Sequence, residues 1–161
     1  MEPSRRQAYG FRQLGLWQKA QGFAVEVVKL VDGLPTRRSV DVASRQLVRA
    51  ATSVAANIAE GHGRFTLPAY RNHLSIAKGS ACEALSWLDL LSRLGHVDAA
   101  VGNSLEERCE ELIAALTRRI RSLQEQQKER RVSELPPHYE TEPGEPETGS
   151  KVPRFQGSRV R

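Results

Sequence analysis

The chain has 161 residues, 39% of them apolar and 27% charged, with a net charge of +5 and a pI near 9.6. That length suits a single domain with a real core. No apolar run approaches the roughly 20 residues that span a bilayer, and no signal-type apolar stretch follows Met1–Arg6, so no membrane association and a cytoplasmic location are expected. Residues 1–131 hold 20 Lys/Arg and 14 Asp/Glu, a net +6, so the basic excess belongs to the part expected to fold and points to an anionic partner.

Residues 1–12 are polar and read as a flexible N-terminus, leaving 13–131 as the folded domain. From Gln13 a first helix carries Leu16, Trp17, Ala20, Phe23, Ala24, Val27 and Val31 at helical spacing. Gly22 weakens it and suggests a close helix contact; Asp32-Gly33-Leu34-Pro35 ends it.

The second helix, about 40–60, has a stripe of Leu47, Ala50, Ala51, Val54, Ala55 and Ile58. So many alanines let a neighbouring helix come near, and Gly61 reads as a left-handed terminator. After the turn Gly61–Phe65, Thr66 is the expected N-cap of a third helix, with Pro68 in its first turn. That helix runs to about Leu94 with Tyr70, Leu74, Ala77, Ala81, Leu85, Leu88 and Leu91 inward, and Gly95 caps it.

Ser104 and Glu107 form a capping-box pattern, which places the start of the fourth helix there. Its seam is Leu105, Cys109, Leu112, Leu116, Ile120 and Leu123. Beyond Gln124 the apolar residues stop, and residues 132–161 turn Pro-, Gly- and Glu-rich, the composition of a disordered tail. Four amphipathic helices with short links predict an all-α, antiparallel up-down four-helix bundle. Cys82 and Cys109 read as small buried thiols in preference to an interhelical disulfide.

Chemistry that bundles can host finds little support. A di-iron site needs Glu-x-x-His pairs, and none occurs; His62, His73, His96 and His138 are scattered, and neither zinc spacing nor a phosphate-binding glycine loop is present. No metal or cofactor is expected. Glu60 and Glu83 could pair for acid–base work, but the blander reading places them with Ser53, Asn57 and Ser80 in a structural polar network, accepting hydrogen bonds from Asn57, Ser80 or helix-end N–H groups. No enzymatic activity is expected.

The basic residues form rows. Arg38, Arg45 and Arg49 share one face of the second helix; Arg64, Arg71 and Lys78 recur every seven residues; Arg118, Arg119 and Arg121 lie on the fourth helix. Each row alone is what a solvated face looks like. Three rows without a matching acidic row favour phosphate contacts from RNA or DNA. With no aromatic stacking platform in view, such binding is expected to be electrostatic and weak in sequence preference.

Several elements resemble one family: Trp17-x-Lys19-Ala20, Gln46-x-x-Arg49-Ala50-Ala51-x-Ser53-Val54, Asn57-Ile58-Ala59-Glu60-Gly61, and Leu74-x-Ile76-Ala77-x-Gly79-Ser80-x-x-Glu83. Over roughly residues 11–123 the chain is similar to the four-helix-bundle proteins of the 23S rRNA intervening-sequence family, which includes the accessory proteins (Avd) of diversity-generating retroelements. The resemblance implies a ring-like homopentamer. In the retroelement members a basic ring surface binds nucleic acid and a partner reverse transcriptase, supporting mutagenic copying of a template RNA; the intervening-sequence members are self-assembling bundles of obscure role. The sequence departs from the family where Leu67-Pro68-Ala69 follows Thr66, a place where an acidic residue is common.

Overall fold

A computed structural model describes residues 10–133, in which a short 3₁₀ turn, Gly10–Gln13, leads into four α-helices: α1 Gly15–Asp32, α2 Arg38–His62, α3 Leu67–Arg93 and α4 Ala99–Ser133. The helices run up and down with short links. The α2–α3 pair packs most closely and α1–α4 least, with each helix packed against its sequence neighbours. The expected N-terminal segment lies largely outside the described residues, as does the tail beyond Ser133. Residues 10–13 are ordered by an apolar partner: the Phe11 ring meets Trp17 edge-on at 5.3 Å, and Gln18 Nε2 donates to the Arg12 carbonyl at 2.9 Å.

The predicted stripes form the core. Phe23 and Val27 of α1, Leu47, Val54 and Ile58 of α2, Leu74, Leu88 and Leu91 of α3, and Leu112, Leu116 and Leu123 of α4 are all buried. Burying each such side chain is worth about 1.5–3 kcal/mol. Between α2 and α3 the filling is mostly alanine: Ala50, Ala51 and Ala55 on one helix, Ala77, Ala81 and Ala84 on the other, all buried. Small facing side chains bring the two backbones together, and polar groups flanking the alanine stripe on α2 can therefore reach α3 directly.

Glycine plays a different part from the one expected. Gly61 does not terminate α2; it sits inside the last turn, buried, and the helix ends at His62 with Gly63 as cap in ordinary right-handed geometry. A Cβ on Gly61 would lie 2.7 Å from His73 Cβ and 2.9 Å from Tyr70 Cδ2, so this glycine permits close contact with α3. Gly22, expected at a close contact, has open space around it. Only Gly95 takes a left-handed conformation among the described residues, at φ 70°, immediately after the α3 cap as predicted.

The start of α4 is also displaced. Asp98 caps it, its Oδ1 accepting from Ala100 N at 2.9 Å and Val101 N at 3.3 Å, so Ser104 and Glu107 lie inside the helix. The local capping-box pattern lost to packing: Val97 is buried, and Gly102 is pressed against Ser92 of α3. The Thr66 cap is as expected, its Oγ1 accepting from Ala69 N at 3.4 Å. Cys109 is buried and donates Sγ–H to the Ala81 carbonyl at 3.3 Å, whereas Cys82 is exposed, against the expectation of two buried thiols; both are free.

Candidate nucleic-acid interface

Two polar constructions stand out, one along the α2–α3 seam and one at the end of the bundle where α2 turns into α3. The seam is built from residues one position off the alanine stripe of α2. Ser53 Oγ lies 3.0 Å from Ser80 Oγ of α3. Asn57 Nδ2 donates to the Ser53 carbonyl at 2.9 Å and to Ser53 Oγ at 3.1 Å, and its Oδ1 faces His73 Nδ1 at 3.4 Å. The other ring nitrogen, His73 Nε2, accepts from Arg64 Nε at 3.2 Å. These partners assign the histidine proton to Nδ1, donating to Asn57.

Ser53, Asn57 and Ser80 are thus joined as the sequence suggested, and His73, dismissed there as isolated, is the link that carries the chain of bonds to the turn. Its position opposite Asn57 depends on the register between two helices, which spacing within one helix does not reveal. The two glutamates are attached differently from the expectation. Glu83 accepts from Arg49 Nη2 at 2.6 Å, with Arg49 also donating Nε to Gln46 at 3.0 Å. Glu60 is ion-paired to Arg64, and His73 Nε2 lies 3.8 Å from its Oε1. Each glutamate therefore has its own arginine, one pair toward the middle of the seam and one at its end. Arg49 and Glu60 are about 16 Å apart along the α2 axis, so Glu60 and Glu83 do not form a carboxylate pair.

The pairing redistributes the basic residues. Arg49 and Arg64, read as phosphate contacts, are each neutralised by a glutamate. Arg38 and Arg45 are exposed on α2, and Arg121 is exposed on α4. Arg71 donates Nη1 to Gln127 of α4 at 2.8 Å, so it lies on the α3–α4 side; Lys78, seven residues on and half-buried, follows the same line. The second row therefore borders α4, which carries the third.

What converges instead is the end of the bundle. Two clefts open there and share Tyr70 as a wall. One, of about 520 Å³, lies between the α2–α3 turn and the last turns of α4, with Arg64, Arg130 and Arg131 in its lining. The other, of about 290 Å³, lies between the start of α1 and α4, with Lys19, Arg118 and Arg119 in its lining. Arg119 holds its guanidinium 5.7 Å from the Tyr70 ring centroid, a cation–π arrangement that fixes it at the rim. No Asp or Glu lines either cleft. Arg130 and Arg131 escaped the sequence reading because the end of α4 looked like a solvated extension, and Lys19, visible there only within the Trp17-x-Lys19-Ala20 element, joins the basic end through the packing of α1 beside α4. Extending α4 by ten residues past Leu123 at about 1.5 Å each carries it roughly 15 Å further, to the level of the turn.

The surface is not uniformly basic. At the opposite end Val42, Trp87, Leu90 and Leu94 line a mostly apolar groove between α2 and α3, with Arg38 also in its lining. Among the described residues no group of three or more His, Cys, Asp or Glu is placed to hold a metal ion, and no helix is long and apolar enough to cross a membrane.

The fold and this arrangement define a class: an up-down four-helix bundle with an alanine-lined α2–α3 seam and a basic end. The chain belongs to the 23S rRNA-intervening sequence protein family, whose model matches residues 12–118. Its fold is similar to the crystal structure of a protein of unknown function from the S23 ribosomal protein family of Bacteroides thetaiotaomicron VPI-5482. That likeness has a TM-score of 0.62 and 30% sequence identity, over 65% of this chain and 97% of the other. Among curated proteins none matches.

Proposed function

We propose that this protein is a non-enzymatic, cytoplasmic accessory protein that binds RNA or DNA as a homo-oligomer, a pentameric ring by resemblance to its family. The observation that supports this most is the pair of clefts around Tyr70, lined by arginines and a lysine with no acidic residue among them. Such a surface attracts phosphates without reading sequence. Repeated around a ring, it would present several copies of the same basic end to one strand, so that weak individual contacts act together. The most concrete role of this kind is that of a reverse-transcriptase partner in a diversity-generating retroelement.

A second reading is a self-assembling intervening-sequence bundle with no reverse-transcriptase partner. The apolar groove at Val42, Trp87, Leu90 and Leu94 favours the assembly that both readings share. Genomic context separates them: a neighbouring reverse-transcriptase gene with paired template and variable repeats belongs to the first, a location inside an rRNA operon to the second.

The salt dependence of RNA affinity tests the nucleic-acid reading. Binding through several phosphates gives a log–log slope of about −0.7 per contact for a single strand. A slope near zero, or no binding at about 50 mM salt, would exclude the basic end as a phosphate surface.

A further inference from the structure

The larger cleft contains a feature that simple phosphate attraction does not use. Phe65, in the α2–α3 turn, is 106% exposed relative to an isolated residue, the most exposed large apolar side chain among the described residues. It lines the cleft together with Pro68, Tyr70, Arg64, Arg130 and Arg131. Leaving a phenylalanine in water forgoes the stabilisation that burial would return, and here it lines a cleft with cationic side chains. Arg64 is held by Glu60, while Arg130 and Arg131 have no side-chain partner among the described residues. The cleft volume of about 520 Å³ falls within the range of sites that take a small organic group.

An aromatic face beside two unpaired arginines is matched by a planar ring attached to a phosphate. From this juxtaposition we infer that the cleft takes an unpaired nucleotide of a single strand, its base stacked on Phe65 and its phosphates between Arg130 and Arg131. This rests on the nucleic-acid reading above and sharpens it, because a base inside a duplex is already stacked and paired and cannot lie on a side chain. It also replaces the expectation that no aromatic platform exists. A second copy of the chain seated on Phe65 would have to bring its own carboxylates to Arg130 and Arg131, since no acidic residue lines the cleft.

The test uses the full chain, a labelled single-stranded RNA of about 12 nucleotides, the same sequence as DNA, and a blunt duplex of equal length, read by fluorescence anisotropy at about 50 mM salt. Phe65→Ala weakens both single strands about 5- to 150-fold, the equivalent of ~1–3 kcal/mol of base–aromatic stacking, and leaves the duplex within twofold. Phe65→Trp retains single-strand affinity, and Arg130→Ser/Arg131→Ser weakens strands and duplex alike. Phe65 is fully exposed, so its replacement leaves the core untouched. If Phe65→Ala has no effect, or weakens duplex and single strands equally, the nucleotide cleft is overturned while the proposed nucleic-acid binding stands. A wild-type protein that binds none of the probes overturns both. A changed particle mass for Phe65→Ala by light scattering assigns the residue to a subunit contact and overturns the cleft.

Discussion

Gly61 lies against His73: a side-chain carbon on the glycine would stand 2.7 Å from the histidine Cβ. Two backbones are held at that distance by a missing methyl group, and the polar seam from Ser53 to Arg64 depends on it, because His73 meets Asn57 and Arg64 from this position.

Gly61→Ala is therefore expected to destabilise the bundle. Alanine gains about 1 kcal/mol in helix propensity, but overpacking costs about 1–3 kcal/mol, and the neighbours are a Cβ, a ring carbon and the Tyr70 carbonyl, none free to swing aside. A net loss of up to about 2 kcal/mol should appear in urea unfolding. Gly79→Ala is the contrasting case. The site is helical and exposed, and a Cβ there meets nothing within 4 Å, so propensity acts alone and stability should rise by about 0.5–1 kcal/mol.

These two glycines show what the sequence could and could not reveal. The helices and their buried faces were legible, because stripes such as Leu74, Ala77, Ala81 and Leu88 repeat at a period that only a helix satisfies. The roles of individual glycines were not. Gly61 and Gly95 look alike in one dimension, yet one gives clearance and the other a left-handed turn, and clearance is a property of two helices together. The same holds for Ser104, whose capping pattern was overruled by Val97 and Gly102 packing further back. In the candidate site Asn57, Ser53 and Ser80 were found from their placement beside a narrow apolar stripe. His73, Phe65 and Arg131 were not, since each acquires meaning only from the element opposite it.

Ser44 offers a stability test of another kind. Its Oγ is buried and has no hydrogen-bond partner among the described residues. An unsatisfied buried hydroxyl costs about 1–3 kcal/mol, so Ser44→Ala should leave stability unchanged or raise it by about 1 kcal/mol in the same urea titration. A loss of that size would place a partner on the hydroxyl in solution.

The two thiols should behave oppositely. Burial pushes the Cys109 thiol from 9.0 up to about 12, with smaller contributions from Cys82 and Glu110, whereas Cys82 is exposed. At pH 8 a thiol reagent should modify one cysteine per native chain at once and the second only after unfolding; Cys82→Ser should abolish the fast reaction. The raised value also has a sign in stability. The native thiol keeps its proton where the unfolded chain loses it, so its contribution is complete below about pH 9 and is lost progressively toward pH 12. Cys109→Ala should therefore show a shallower alkaline loss than the wild type over that interval.

The Arg49–Glu83 contact spans the α2–α3 seam at 2.6 Å, but both side chains are substantially exposed. Exposed pairs contribute about 0–1 kcal/mol. Glu83→Gln should accordingly fold as the wild type does, with a change in unfolding free energy below about 1 kcal/mol. A larger loss would mean that a neighbouring subunit covers the pair.

The claim that the nucleic-acid surface is the end of the bundle around Tyr70 is tested most directly by comparing two charge-removal variants for single-stranded RNA affinity across a salt series. One is Arg118→Ser/Arg119→Ser/Arg130→Ser/Arg131→Ser at that end; the other is Arg38→Ser/Arg45→Ser on the outer face of α2. The account predicts that the first loses most of its affinity and that its salt slope becomes shallower by about 3, one contact per removed arginine at about 0.7 each, while the second changes little. Equal losses in both variants, or a greater loss from the α2 face, would contradict it.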